Sequence, residues 1–386
     1  MTPGARHAAA IAVLDRWLAG EPAEQALTNW ARGSRYAGSG DRAAVRDLVF
    51  DAVRCRRSFA ALGGSATGRG LVLGGLRAAG TDPAAVFTGE GRAPAPPTAD
   101  EAGAPAPADL PEAVALDCPD WLAPALRRDL GDDFVPVLQA LRRRAPVFLR
   151  ANLARATPAA ARARLAAEGI LAEPHPLAGT ALAVTANARR IRSSSAFAEG
   201  LVDLQDAASQ AVVEALDARP GMAVLDQCAG GGGKALALAA LGARVTAHDA
   251  DPARMRDLPA RAGRAGVRID LAEEPRGTFD LVLADAPCSG SGAWRRAPEG
   301  KWALTPDRLA GLTALQSRIM DEAARHVRPG GRFAYATCSL LSAENEAQAD
   351  GFCARHPGFA PVTRRRWSPL EGGDGFFLCV FARAAR

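Results

Sequence analysis

Lysine is nearly missing from this sequence. Of its 47 basic residues only Lys234 and Lys301 are lysine. Arginine has been used wherever either residue would serve, so a surviving lysine marks a candidate site for a compact ammonium rather than a planar fork. Tyrosine is as scarce, with Tyr36 and Tyr335 the two. No apolar run approaches membrane-spanning length and the N-terminus has no signal-peptide core, which excludes a membrane protein and points to the cytoplasm. The seven cysteines, at 55, 118, 228, 288, 338, 353 and 379, include no pair at zinc-ligand spacing. Their odd number suits individual reduced thiols and no metal. Net charge is a modest +5, which permits nucleic acid without requiring it. What is present is ordinary for a folded soluble chain: 386 residues, enough for two or three domains, 48% hydrophobic and 23% charged.

Residues 5–62 carry apolar positions at three- and four-residue spacing and read as helices, with Asp41 placed as an N-cap. Arg42, Arg46, Arg54, Arg56 and Arg57 crowd one of them. This stripe has two readings, a solvated face and an RNA-facing surface. Residues 63–80 suggest a further short helix, and 89–108, rich in Gly, Ala and Pro, a linker. A helical stretch from Asp117 to Leu141 leads into a strand at 147–152, a helix from Thr157, and strand-like pieces at 170–172, 181–184 and 190–192. That succession suggests a small α+β module. Arg142, Arg143, Arg144, Arg150, Arg189, Arg190 and Arg192 make it the most basic region and favour RNA contact. From Leu201 onward helices and strands alternate, the pattern of a doubly wound parallel sheet and an α/β fold.

Two motifs in this last part carry chemistry. Asp226 to Lys234 is a strand end followed by four glycines and a helix start, where backbone and helix dipole can approach a ligand closely. The spacing fits neither the dinucleotide fingerprint nor a P-loop, since Ala235 stands where a magnesium-binding hydroxyl belongs. Asp249 ends the next predicted strand, where an acid can hold ribose hydroxyls. Together these describe an S-adenosylmethionine pocket. The second motif pairs Cys288, in Asp285-Ala-Pro-Cys-Ser-Gly-Ser-Gly, with Cys338, in Tyr335-Ala-Thr-Cys-Ser; each follows a predicted strand. Cytosine C5 is a poor nucleophile until a thiolate adds at C6, so a cytosine methyltransferase has a use for such a thiol. Asp285 could then stabilise charge near N3.

These motifs, with Arg296-x-Pro298-Glu299-x-Lys301-Trp302 and Glu344-Asn345-Glu346, resemble those of the RNA (cytosine-5) methyltransferases of the NOL/NOP/Sun family. The resemblance covers residues 201–386 strongly, and the leading segments are similar to its bacterial Sun-type branch. It implies a Rossmann-like methyltransferase sheet preceded by a small ferredoxin-like α+β module and an all-α NusB-like domain. The expected boundaries are 1–88 for the helical domain, 89–110 for the linker, 111–200 for a helix plus the α+β module, and 201–386 for the methyltransferase domain. It implies Cys338 as the nucleophile at C6, although chemistry alone would favour the Pro-Cys thiol, and Cys288 as the residue assisting release. It further implies Asp285 at the base and Lys234 near donor or base. The donor would be held by Cys228, Ala229, Gly230, Gly231, Gly232, Gly233, Lys234, Asp249 and Asp285. Expected partners are RNA, in particular ribosomal RNA, with no membrane and no metal, the protein acting as a monomer. Gly231 and Ala235 depart from the usual proline and threonine. The acid near adenine stays open among Asp270, Glu273 and Glu274. Two rival readings are an amino-group methyltransferase and a non-catalytic RNA-binding or assembly factor.

Overall fold

The computed structural model describes residues 1–102 and 109–385. The chain divides into two compact units, Met1–Arg144 with Trp294–Ala303, and Ala145–Ala293 with Leu304–Arg386.

The first unit is helical. Helices α1 (Pro3–Leu18), α2 (Ala23–Gly33), α3 (Ser39–Arg54), α4 (Arg56–Gly63) and α5 (Gly68–Ala78) bury Ala10, Leu14, Val45, Val49, Val53 and Leu71 in one core. Those residues recur at helical spacing, so each helix offers an apolar stripe that only packing against the others can cover. Asp41 corrects the expectation made for it. It is the third residue of α3, not its N-cap, and its carboxylate accepts from the Gly38 amide at 3.2 Å, the half of a capping box that a glycine N-cap allows. Short helices α6 (Ala99–Ala102), α7 (Glu112–Ala115), α8 (Ala123–Leu130) and α9 (Phe134–Leu141) follow. The described part of the Gly/Ala/Pro stretch is tied down rather than loose. Arg69 donates to Glu101 at 2.7 Å and to the Ala95 and Pro96 carbonyls at 3.1 Å. Residues 103–108 lie outside the described residues.

The second unit opens with a four-stranded antiparallel sheet, β1 (Val147–Ala151), β2 (Leu171–Pro174), β3 (Ala181–Ala186) and β4 (Val202–Leu204), in the order β2-β3-β1-β4. One face is covered by α10 (Pro158–Ala167) and α11 (Ser195–Ala198) over Leu149, Leu165, Ile170 and Val202. This is the ferredoxin-like arrangement. The expected strand at 190–192 is instead a 3-10 turn, Ala188–Ser193, and the fourth strand comes ten residues later. Asn187 explains the difference: it sits in the left-handed region (φ 59°) and turns the chain out of the sheet.

A seven-stranded mixed sheet completes the unit. Its members are β5 (Ala223–Asp226), β6 (Arg244–Ala247), β7 (Ile269–Leu271), β8 (Phe279–Asp285), β9 (Val327–Thr337), β10 (Phe359–Trp367) and β11 (Phe376–Arg383), ordered β10-β11-β9-β8-β5-β6-β7. The five strands β5 to β9 are parallel, and β11 runs antiparallel between β9 and β10. Helices α12 (Ala207–Ala215), α13 (Gly233–Ala240), α14 (Leu258–Ala265), α16 (Pro306–Arg325) and α17 (Glu346–Arg355) cover its faces, while α15 (Glu299–Ala303) belongs to the helical unit. Leu281, Val282, Leu283 and Ala284 are all fully buried, as a central parallel strand requires. Successive connections diverge from β5, so the switch point lies between β5 and β8. Ligands bind at the C-terminal ends of strands on either side of such a point.

Candidate active site

Each predicted site residue in the methyltransferase region follows one of these strand ends. Asp226 ends β5, Asp249 follows β6, Asp285 ends β8 and Cys338 follows β9.

After β5 the chain makes the expected glycine turn. Gly230 (φ 52°) and Gly232 (φ 78°) have left-handed backbones, and a Cβ on Gly232 would stand 2.2 Å from Leu258. Only glycine suits that position on both counts. The Gly230 amide donates to Asp249 at 2.8 Å, and Arg261 grips the Gly231 carbonyl. Asp249 also accepts from the Asp251 amide and from Arg254 at 3.0 Å. Arg254 is half exposed and can withdraw from the carboxylate at little cost. Cys228 lies in the same turn, its thiol pushed up by burial and then by the charge of Asp226. It is therefore an unreactive thiol.

Asp226 is buried, and neither carboxylate oxygen makes a full hydrogen bond, although the Ala235 amide at the start of α13 leans toward it. Burial, and then the charge of Asp285, push it up to about 7. A buried acid without partners beside a glycine turn, a helix N-terminus and a second acid fits a bound cationic, ribose-bearing ligand such as S-adenosylmethionine. Glu273 and Glu274 follow β7 at the same edge, whereas Asp270 lies within the strand. Asp285 pairs with Lys234 at 2.6 Å, and the Lys234 ammonium lies 4.9 Å from the centre of the Phe376 ring. One of the two surviving lysines is therefore a 7%-exposed ammonium at the centre of this edge.

The two cysteines meet. Cys288 Sγ and Cys338 Sγ are 3.4 Å apart, although 50 residues separate them. The Cys288 thiol is pushed well up, first by its hydrogen bond to Cys338 and then by burial. Behind them is a polar network that sequence reasoning missed. Ser289 and Ser339, each directly after a cysteine, both donate to the buried Glu344. The Gly292 amide donates to the Cys338 carbonyl at 3.0 Å. The signal was a hydroxyl after each cysteine together with an acid in Glu344-Asn345-Glu346.

Other residues fall elsewhere. Lys301 is not in this site. The segment 294–303 belongs to the helical unit, where Lys301 donates to the Arg54 carbonyl at 2.9 Å and Trp302 to the Val53 carbonyl at 2.6 Å. Arg54, from the stripe on α3, and Arg142 and Arg150, from the basic region expected to meet RNA, turn inward. Arg142 bonds Asp117 at 2.7 Å, Arg150 is 3% exposed, and Arg54 donates to the Arg295 carbonyl. Arg143, Arg144, Arg189, Arg190 and Arg192 remain exposed.

Comparison with known proteins places this geometry. A family model described as 16S rRNA methyltransferase RsmB/F matches residues 213–377, and the RsmF/B-like ferredoxin-like domain matches 118–189. Over 300 residues the chain is 35% identical to ribosomal RNA small subunit methyltransferase B of Xanthomonas campestris, covering 71% of this chain and 68% of that protein. The crystal structure of PH0851 shares the fold, with a TM-score of 0.78, 22% identity and 99% of both chains covered. A methyltransferase homolog from Pyrococcus horikoshii aligns with a TM-score of 0.64 and 25% identity, over 72% of this chain and all of that one. With its glycine turn and paired acids suited to S-adenosylmethionine, the cofactor of such enzymes, the chain belongs to the RsmB/F family of 16S rRNA methyltransferases.

Proposed function

We propose that this protein methylates C5 of a cytosine in small-subunit ribosomal RNA through a transient bond between Cys338 and C6 of the base. The observation that carries the reading is the 3.4 Å approach of two thiols from different strand ends, beside the Lys234–Asp285 pair. Bound S-adenosylmethionine supplies the electrophilic methyl group. Cys228, Ala229, Gly230, Gly231, Gly232, Gly233 and Asp249 would hold it, with Lys234 and Asp285 between it and the base.

In this scheme the Cys338 thiolate bonds to C6 and the displaced electron pair makes C5 nucleophilic. Asp285, held by Lys234, would contact the base and steady the charge that develops on it. Once C5 carries the methyl group, loss of its proton lets the C6–S bond break and returns the thiolate. Cys288 holds its proton tightly while Cys338 is free, which suits it poorly to attack. Bonding Cys338 to carbon removes the largest cause of that grip. Cys288 then releases its proton more readily, at the stage where departure of the product needs a base.

The exposed arginines at 143, 144, 189, 190 and 192 supply the RNA-facing charge in this proposal. Cys338→Ala is expected to abolish methyl transfer, and Cys288→Ala to leave protein bonded to RNA on a denaturing gel. Activity in Cys338→Ala, with no adduct in Cys288→Ala, would reverse the two roles. Bisulfite sequencing of ribosomal RNA from cells with and without the gene tests the substrate: a cytosine protected only when the gene is present is the expected result.

A further inference from the structure

Four donors converge on the carboxylate of Glu344, which is fully buried in the turn Ser342–Glu344. They are the Ser289 amide at 2.8 Å, the Ser289 hydroxyl at 2.5 Å, the Ser339 hydroxyl at 2.5 Å and the Gln316 side-chain amide at 3.0 Å. Ser289 and Ser339 are the residues directly after Cys288 and Cys338. Gln316, on α16, also donates to the carbonyl of Pro287, directly before Cys288, at 2.9 Å. One carboxylate thus grips both cysteine loops, and its partner Gln316 also holds the Cys288 loop on the other side of the cysteine. The turn that carries Glu344 is itself held, since Tyr335 donates to the Glu344 carbonyl at 2.7 Å and Asn345 to the Ser339 carbonyl at 2.9 Å.

We propose that Glu344 is a positioning residue that sets the separation of Cys288 and Cys338 and keeps their roles unequal. The proposal rests on the assignment of Cys338 as nucleophile. Its mechanical part follows from the donors: each hydrogen bond to a buried carboxylate is of the charge-assisted, stronger kind, and the two loops have no covalent link that would hold their sulfurs together. Its electrostatic part follows from the charge. A buried carboxylate beside Cys288 disfavours a second negative charge there, so the proton stays on Cys288 while Cys338 attacks. The groups facing Cys288 are Cys338, Glu344 and Tyr335, with Asp285 and its partner Lys234 at the start of the same loop. Of these, Glu344 is the acid that also bonds the neighbouring residue.

The test uses the full chain with S-adenosylmethionine and a small-subunit ribosomal RNA transcript carrying 5-fluorocytosine. Fluorine cannot leave as a proton does, so the protein–RNA adduct persists. Wild-type protein must form this adduct; its failure to do so would overturn the Cys338 assignment itself. Given a wild-type adduct, Glu344→Gln is expected to form it about tenfold or more slowly, with KM for RNA and cofactor affinity held within about twofold. In a Cys338→Ala background, the pH midpoint for alkylation of Cys288 by iodoacetamide is expected to move down when Glu344→Gln is added. A purely structural role would leave that midpoint in place. Ser339→Ala removes one donor and keeps the charge, so it serves if Glu344→Gln fails to fold. It is expected to slow adduct formation without moving the Cys288 midpoint down. Adduct formation at wild-type rate in Glu344→Gln, or in Ser339→Ala if that is the variant that folds, would overturn the proposal. So would an unmoved or raised Cys288 midpoint in Glu344→Gln.

Discussion

Asp226 costs the folded protein stability at neutral pH. Its carboxyl titrates near 7 in the fold, against an ordinary 3.8, because it is buried among acids. The native state therefore holds a proton that the unfolded chain has lost between about pH 4 and 7, and stability falls as pH rises through that window. Asp226→Asn removes the penalty. We predict that at pH 8 it stabilises the cofactor-free protein by on the order of 4 kcal/mol relative to wild type, with no difference near pH 3. Denaturant titrations at the two pH values check this. The same change should weaken S-adenosylmethionine binding by about tenfold in calorimetry, because Asp226 ends β5 with neither oxygen in a full hydrogen bond. A destabilising residue at the functional edge is the usual trade between stability and activity.

The glycine turn and the segment 294–303 show what single elements decide. Gly232→Ala meets both a left-handed backbone and the Leu258 side chain, so it should destabilise by about 2–3 kcal/mol and abolish cofactor binding. Gly221 also has a left-handed backbone but has nothing within 4 Å of an added Cβ. Gly221→Ala should cost only about 1 kcal/mol, and comparing the two by thermal melts separates backbone strain from collision. In the helical unit, Glu299 accepts from the Ala23 amide at 2.9 Å at the start of α2, beside the bonds made by Lys301 and Trp302. Lys301 is buried, and burial lowers it to about 8 from 10.5. The unfolded chain binds its proton more firmly, so stability should rise with pH from 8 upward, by about 1 kcal/mol between pH 8 and 9. Above pH 9 Cys55 and Cys118, raised to about 12 and about 11 mainly by burial, oppose the trend. Lys301→Met should flatten the rise between pH 8 and 9 in urea titrations.

At the scale of the whole molecule, the charge that could meet RNA is smaller than the number of arginines implies. Arg54, Arg142 and Arg150 are taken up by carbonyls, carboxylates or burial. Arg189, Arg190 and Arg192 are exposed on a turn of the ferredoxin-like sheet. Replacing Arg190 and Arg192 by alanine should reduce the slope of log K against log salt by about 0.7 for each phosphate no longer neutralised, measured with single-stranded ribosomal RNA fragments. An unchanged slope would place the RNA on another face.

Several features of this protein are determined by the sequence alone. Strand, glycine turn and helix lie contiguously between Ala223 and Ala240, so the cofactor edge can be read locally, and Asp285 and both cysteines stand next to strands of unmistakable apolar character. The small α+β module is legible for the same reason, except where Asn187 turns the chain and a 3-10 turn replaces a strand. Tertiary structure decides whatever depends on residues far apart in the chain. Packing brings two sulfurs 50 residues apart to 3.4 Å, makes Glu344 the common anchor of their loops, and sends Lys301 into the helical unit while Lys234 stays at the sheet edge. The physical reason is that local pattern encodes the direction and burial of each element, whereas the identity of a buried group's partner is set only when separate elements close on one another.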